Sequence, residues 1–136
     1  MKKRLTARML AGGIAAMASV CTAYAHHSAA AEYDVEKVVQ FKGVLTKVEW
    51  INPHSHMSFD VKGADGKVTN WSIEFAGVSG LRKAGLANKK ALTIGQTYGL
   101  AINPSRDGRK AGLINTLTFP DGRVFRLGTG VEEQQR

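Results

Sequence analysis

The sequence contains one cysteine, Cys21, three prolines and four histidines among its 136 residues. Cys21 lies in a stretch that we expect to be removed. The remaining chain would then have no disulfide bond, no thiolate metal ligand and no cysteine nucleophile. The sequence also has neither a Gly-x-Ser-x-Gly motif nor an evident pair of catalytic carboxylates. These absences argue against a hydrolase.

Residues 1–25 have the layout of a secretory signal peptide. An uncharged apolar run over residues 9–20 is too short for a stable membrane span, which needs roughly 20 apolar residues. Ala23-Tyr24-Ala25 is a small-x-small cleavage pattern. We predict cleavage after Ala25 and a periplasmic or secreted protein without a stable membrane span, with lipidation at Cys21 as the alternative. The basic start consists of Lys2, Lys3, Arg4 and Arg8.

The charge of the chain changes when this segment is removed. The formal net charge is +8, and the four basic residues of the segment account for half of it. A modest positive charge on an exported protein does not favour nucleic acid as its partner.

Hydrophobic patterning predicts a lead-in over residues 26–37, extended or in a loose turn, one β domain over 38–127, and a flexible polar tail over 128–136. An offset near Gly43 predicts a bulge in the first strand. A helix is predicted over residues 78–86, with Gly85 near its end. This element order predicts a mainly β fold, a small OB-fold-like Greek-key barrel with one short helix between strands 3 and 4. The predicted strands span residues 38–51, 56–62, 68–75, 96–102, 111–119 and 123–127.

Several short motifs, taken in order, resemble a family of small exported bacterial proteins known only as a domain of unknown function. The resemblance covers nearly all of the chain after residue 25, and it implies export and a compact β domain without an established activity. The family typically has an aromatic or aliphatic residue where this chain has His56. The motifs are His26-His27-Ser28, Glu32-Tyr33-Asp34, Trp50 before Asn52-Pro53-His54, Trp71 with Glu74, and Pro120-Asp121-Gly122-Arg123.

The four histidines form two clusters, His26-His27 and His54-Ser55-His56. Cleavage after Ala25 would make His26 the first residue, whose amine and imidazole can chelate one metal ion. An α-amino pKa near 7.7–8.0 makes the deprotonated amine accessible near neutral pH. A further imidazole from the second cluster would complete a nitrogen-rich set suited to Cu(II). Glu74 could add an oxygen ligand or orient a histidine.

Two loops of the predicted barrel, residues 52–55 and 103–110, would flank the ligand face of an OB-fold. The second loop is basic and could hold an anionic ligand, or it could be a solvated turn. Tryptophans in OB-folds can stack on ligands, although core packing is the alternative at alternating strand positions. The candidate ligand-binding residues are Trp50, Trp71, Arg106, Arg109 and Lys110.

These observations favour a small exported binding protein over an enzyme, with copper or another transition metal bound at His26, His27, His54, His56 and Glu74. The alternative is a metal-free interaction module that binds a partner protein, such as a periplasmic one, or a small anionic ligand. A copper-dependent oxidoreductase is the third hypothesis.

Overall fold

The computed structural model describes residues 28–86 and 91–127 of the chain. The predicted signal peptide, His26, His27 and the polar tail lie outside these residues. No helix in the described part is long and apolar enough to cross a membrane. The elements, in chain order, are α1 (Ser28–Glu32), β1 (Val39–Glu49), β2 (His54–Lys62), β3 (Val68–Ala76), α2 (Val78–Lys83), β4 (Thr97–Pro104), β5 (Ala111–Thr118) and β6 (Val124–Arg126).

Five strands close into an OB-like barrel, which confirms the predicted fold. The sheet order is β3-β2-β1-β4-β5-β6, and β3 also pairs with β5. That closing contact is parallel, with Ser72 opposite Ala111 and Glu74 opposite Leu113, whereas the neighbouring pairs are antiparallel. The short helix lies between β3 and β4, as predicted. Strand β6 pairs with the last three residues of β5.

The barrel interior is filled by inward-facing residues, which alternate with outward-facing ones along each strand. In β2, for example, Met57 and Phe59 are fully buried while their neighbours are partly exposed. The Phe59 ring meets Tyr98 edge to face, with 6.2 Å between the ring centroids. Other buried members of this core are Leu45, Ile73, Phe75, Leu81, Leu100, Ile102, Ile114 and Leu117.

The irregularity in β1 lies between Leu45 and Lys47, a few residues after the predicted position at Gly43. Gly43 is required for another reason: a Cβ atom there would lie 2.9 Å from the Cβ of Phe59. The glycine therefore makes room for the side chain of Phe59, and the change of register lies two residues further along β1.

The lead-in is helical at its start, which corrects the expectation of an extended segment or loose turn. Ser28–Glu32 contains three alanines, and alanine has the highest helix propensity. After α1 the chain lies against the barrel, where Tyr33 forms an isolated β-bridge with Ser105. Tyr33 is only 4% exposed, so this segment belongs to the folded domain.

Helix α2 ends at Lys83, three residues before the predicted end. The Gly85 amide donates to the Arg82 carbonyl and the Leu86 amide donates to the Leu81 carbonyl, a Schellman arrangement. Gly85 has φ of +88°, which a glycine adopts without strain. The prediction that Gly85 ends the helix is thus confirmed.

The first predicted ligand-face loop is shifted by two residues toward the N-terminus, and the second is two residues shorter than expected. The first covers residues 50–53, because β2 begins at His54, which pairs with Ala76. The second covers residues 105–110, because Asn103 and Pro104 belong to β4. Asn103 is buried, and its side-chain amide donates to the Val35 and Lys37 carbonyls at 3.3 and 2.7 Å.

Candidate functional site

Three of the five predicted metal ligands lie together on the outer face of β2 and β3. His54 and His56 are two residues apart in β2, so their side chains leave the same face of the sheet. Ser55 between them is fully buried, and its hydroxyl donates to the Ile51 carbonyl at 3.2 Å. Glu74 of β3 lies directly opposite His56 in the strand register.

Glu74 joins two side chains that are distant in sequence. Its Oε1 contacts Nδ1 of His54, and its Oε2 accepts a hydrogen bond of 2.7 Å from the Tyr33 hydroxyl. The Glu74 side chain is 13% exposed, whereas that of His54 is 53% exposed. Tyr33, Glu74 and His54 therefore form one chain of polar contacts, which leads from a buried hydroxyl to an accessible imidazole.

Tyr33 is the member of this chain that the sequence did not predict as a site residue. Burial raises the pKa of the Tyr33 hydroxyl, and the hydrogen bond to Glu74 raises it further. The hydroxyl thus remains protonated and donates to Glu74. An aromatic residue in an otherwise polar and alanine-rich lead-in was the sequence signal that could have indicated this role.

A second carboxylate flanks the histidines on the β1 side. Glu49 lies opposite His56 in the register of β1 and β2. Lys47 donates to Glu49 at 2.8 Å. This hydrogen bond lowers the pKa of the Glu49 carboxyl, and His56 contributes a smaller lowering. His56 therefore lies between two carboxylates of neighbouring strands, Glu49 and Glu74.

This face does not contain a complete metal site made from described residues. Within residues 28–86 and 91–127, no three His, Cys, Asp or Glu side chains are grouped so that they could hold a metal ion. The remaining two predicted ligands, His26 and His27, directly precede α1 in the chain and lie outside the described residues.

The basic loop over residues 105–110 holds α1 against the barrel. The Arg106 amide donates to the Glu32 carbonyl at 3.0 Å, and its Nε donates to the Ala30 carbonyl at 2.8 Å. The Arg109 guanidinium pairs with the Glu32 carboxylate. Both arginines predicted to bind an anionic ligand thus contact α1, and such a ligand-binding role stays a prediction.

The loop itself is ordered by Asp107. Its carboxylate accepts hydrogen bonds from the Ser105 hydroxyl at 2.8 Å and from the Arg109 amide at 3.1 Å. These bonds, chiefly the one from the Arg109 backbone, lower the pKa of Asp107. Hydrogen bonds within the loop therefore stabilise the conformation in which it contacts α1.

The two tryptophans contribute to packing. Both are half-buried against the core. The Trp71 ring lies 4.9 Å from the Phe41 ring, measured between centroids. Lys110 places its Nζ 5.3 Å from the Trp71 centroid, within the range of a cation–π contact. The core-packing alternative fits both tryptophans, and a stacking role in ligand binding stays a prediction.

The loop before His54 also contacts the start of α2, the helix that follows β3. Asn52 accepts a hydrogen bond of 3.0 Å from the Val78 amide at the start of α2. A Cβ atom at Gly77 would lie 2.4 Å from the Pro53 carbonyl oxygen. The Asn-Pro segment is therefore packed tightly against the turn into α2, which fixes the start of β2 and hence His54.

Replacing both Arg106 and Arg109 with alanine is expected to loosen α1 without unfolding the barrel. The double variant loses the side-chain contacts to Ala30 and Glu32, whereas the barrel core is unchanged. Exposed ion pairs contribute little to stability, so we expect a small change in the free energy of unfolding. Hydrogen exchange measured by mass spectrometry should be faster in peptides that cover residues 28–34.

A matched control for this prediction is Arg123→Ala. Arg123 pairs with Asp121 within its own turn, away from α1. Exchange over residues 28–34 should stay as slow as in the unmodified protein. Equal exchange in the double variant and the unmodified protein would show that the arginines do not hold α1.

The comparisons with known proteins give one family. A model of a family of unknown function, DUF6152, matches residues 14–115. No curated protein and no solved structure matches the chain.

Proposed function

Because the chain belongs to DUF6152, a family of unknown function, we propose a function from its own residues: it is an exported protein that binds a transition metal, Cu(II) by preference. The site would consist of the His26 amine and imidazole, with His27 as an alternative donor, and of His54 from the barrel. His56 or Glu74 would assist. The observation that carries the proposal is the contact between His54 and Glu74.

This contact is the arrangement that histidine ligands of metals use. A metal-binding histidine usually donates its other ring N–H to a carboxylate or a carbonyl, which fixes the ring and raises its basicity. In this protein the Glu74 carboxylate contacts Nδ1 of His54. The Nε2 atom of the half-exposed ring is then the donor available to a metal.

The position of α1 supports a contribution from the other two histidines. His27 is bonded to Ser28, the first residue of α1. Helical rise places the Cα atoms of Ser28 and Tyr33 only about 8 Å apart. Tyr33 shares the carboxylate of Glu74 with His54, so the residue that directly follows α1 is attached to the same face as the barrel histidines.

The donor types support copper. A primary amine and two or three imidazoles form a nitrogen-rich set that suits the tetragonal preference of Cu(II). Without cysteine after residue 25, the exported chain would offer no thiolate to favour Cu(I) or zinc. The basic start, apolar run and Ala-Tyr-Ala pattern of residues 1–25 support export and placement in the periplasm or outside the cell.

A copper titration of the naturally processed protein tests this function. The chain is expressed with its own signal, its N-terminus is determined by mass spectrometry, and Cu(II) binding is followed by electron paramagnetic resonance. We expect one bound ion per chain with nitrogen hyperfine structure, and weaker binding in His26→Ala and His54→Ala. Lys62→Ala, at the far end of β2 from His54, is the control variant and should bind like the unmodified protein.

Three results would contradict the proposal. A mature N-terminus other than His26 would remove the amine chelate. Equal binding by the two histidine variants and the unmodified protein would show that His26 and His54 do not share a site. A protein that binds no copper would favour the metal-free interaction module. If copper binds, turnover of oxygen or peroxide in the presence of a reductant would test the oxidoreductase hypothesis.

A further inference from the structure

We infer that Tyr33 is a positioning residue, which fixes Glu74 so that Glu74 holds Nδ1 of His54 and leaves Nε2 as the donor atom of the site. The inference rests on the proposed function in one respect, that His54 is the ligand from the barrel. The arrangement of the three side chains themselves does not depend on a metal.

Tyr33 is well suited to fix a partner because its own position is fixed. Its ring is buried, and its amide donates to the Ala29 carbonyl at 2.8 Å. The next residue, Asp34, donates its amide to the Pro104 carbonyl at 2.9 Å. The backbone at Tyr33 is thus held by both α1 and β4, and the hydroxyl cannot turn away from Glu74 without moving a buried ring.

Glu74 needs such a partner because the last torsion of a glutamate side chain is broad. The Tyr33 hydroxyl holds Oε2, and this sets the plane of the carboxylate. With that plane set, Oε1 meets Nδ1 of His54. A carboxylate that lacked the tyrosine contact could rotate, and its hold on one particular imidazole nitrogen would weaken.

The arrangement determines which ring nitrogen of His54 carries the proton. An ionised carboxylate only accepts hydrogen bonds, so Nδ1 must be the donor. A neutral imidazole has a single N–H, and therefore Nε2 keeps its lone pair. An unconstrained histidine favours the opposite tautomer, with the proton on Nε2, so the Nδ1–H tautomer is a specific signature of this contact.

Nitrogen NMR of the metal-free, processed protein tests the inference with Tyr33→Phe. Spectra are recorded at about pH 8.5, where ordinary imidazoles are neutral. We expect the Nδ1–H tautomer for His54 in the unmodified protein and a shift toward Nε2–H in Tyr33→Phe. Glu74→Gln is the second variant and should lose the Nδ1–H preference in the same way, because an amide whose oxygen accepts from the Tyr33 hydroxyl presents its NH2 group, a donor, to Nδ1.

Tyr98→Phe is the matched control. Tyr98 is also a buried tyrosine, and its hydroxyl accepts a hydrogen bond of 2.9 Å from the Thr93 amide, with no link to Glu74. His54 should keep the Nδ1–H tautomer in this variant. Thermal unfolding of all variants shows whether they are folded. An unchanged His54 tautomer in folded Tyr33→Phe would overturn the inference.

The copper measurements separate this inference from the proposed function. In a protein that binds copper, Tyr33→Phe should lower the Cu(II) affinity by roughly 10–100-fold, the range for partners that orient a metal ligand. If the unmodified protein binds no copper while the tautomer still depends on Tyr33, the proposed function fails and the positioning role stands. If copper binds and the tautomer does not respond, the positioning role fails alone.

Discussion

Release of His26 as the first residue of the chain is expected to raise the affinity for Cu(II) by about 100-fold or more. Before cleavage the residue has an ordinary peptide nitrogen, and its imidazole is an isolated donor. After cleavage the amine and the imidazole can bind the same ion. Mutation of a residue that only orients a metal ligand changes metal affinity by roughly 10–100-fold. The gain of a chelating ligand should therefore have at least that effect.

The comparison is best made on one preparation. A fusion with a folded carrier, whose protease cuts directly before His26, is titrated with Cu(II) before and after cleavage. A short extension is unsuitable, because a histidine at the second or third position of a chain creates another copper site of its own. Competition with a chelator of known affinity gives the two dissociation constants.

The matched control is the same fusion with both His26 and His27 replaced by alanine, for which cleavage should change the affinity little. The gain in the unmodified fusion should also grow as the pH rises from about 6 to 8, because ligands must lose their protons to bind and the ordinary α-amino pKa is about 7.7–8.0. Equal affinities before and after cleavage would exclude the amine as a ligand.

Replacing Phe59 with alanine is expected to lower the free energy of unfolding by about 3–5 kcal/mol. Phe59 is fully buried in the barrel, where it meets Tyr98 and lies next to the space that Gly43 leaves. Removal of the ring would leave a cavity that the closed sheet cannot fill by a small movement. Domains of this kind have total stabilities of about 5–15 kcal/mol, so the variant would lose a large part of its stability.

Urea unfolding followed by tryptophan fluorescence and circular dichroism measures this loss. Val68→Ala is the control, since Val68 lies on the adjacent strand β3 and is 61% exposed. Its substitution should change the free energy of unfolding by less than about 0.5 kcal/mol, as is usual at the surface. A similarly small effect for Phe59→Ala would contradict the packing of the barrel interior.

Much of the fold was predictable because its signals are local. Apolar and polar residues alternate in β2 and β3, and this period of two assigns Met57, Phe59, Ile73 and Phe75 to one face without knowledge of any partner strand. Gly85 indicates where α2 ends for the same reason, since a positive φ is a property of one residue. The element order then limited the fold to a small barrel.

Other predictions were wrong, or were displaced by a few residues, because the causes of these features are not local. The change of register in β1 lies at residues 45–47 rather than near Gly43, and Gly43 instead avoids a clash with Phe59 on the next strand. The lead-in was not predicted as a helix, because five residues carry little periodicity and α1 is held by Arg106 and Arg109 from a distant loop.

The candidate site likewise has features that the sequence determines and features that depend on the tertiary structure. The sequence by itself determined the donor types: histidines in two clusters, Glu74 near the second cluster, and no cysteine after residue 25. Only the tertiary structure decided that Glu74 faces His54 on one side and the hydroxyl of Tyr33 on the other, across 41 residues of chain. Contacts of this kind depend on how strands and loops pack in three dimensions, and no spacing along the chain encodes them.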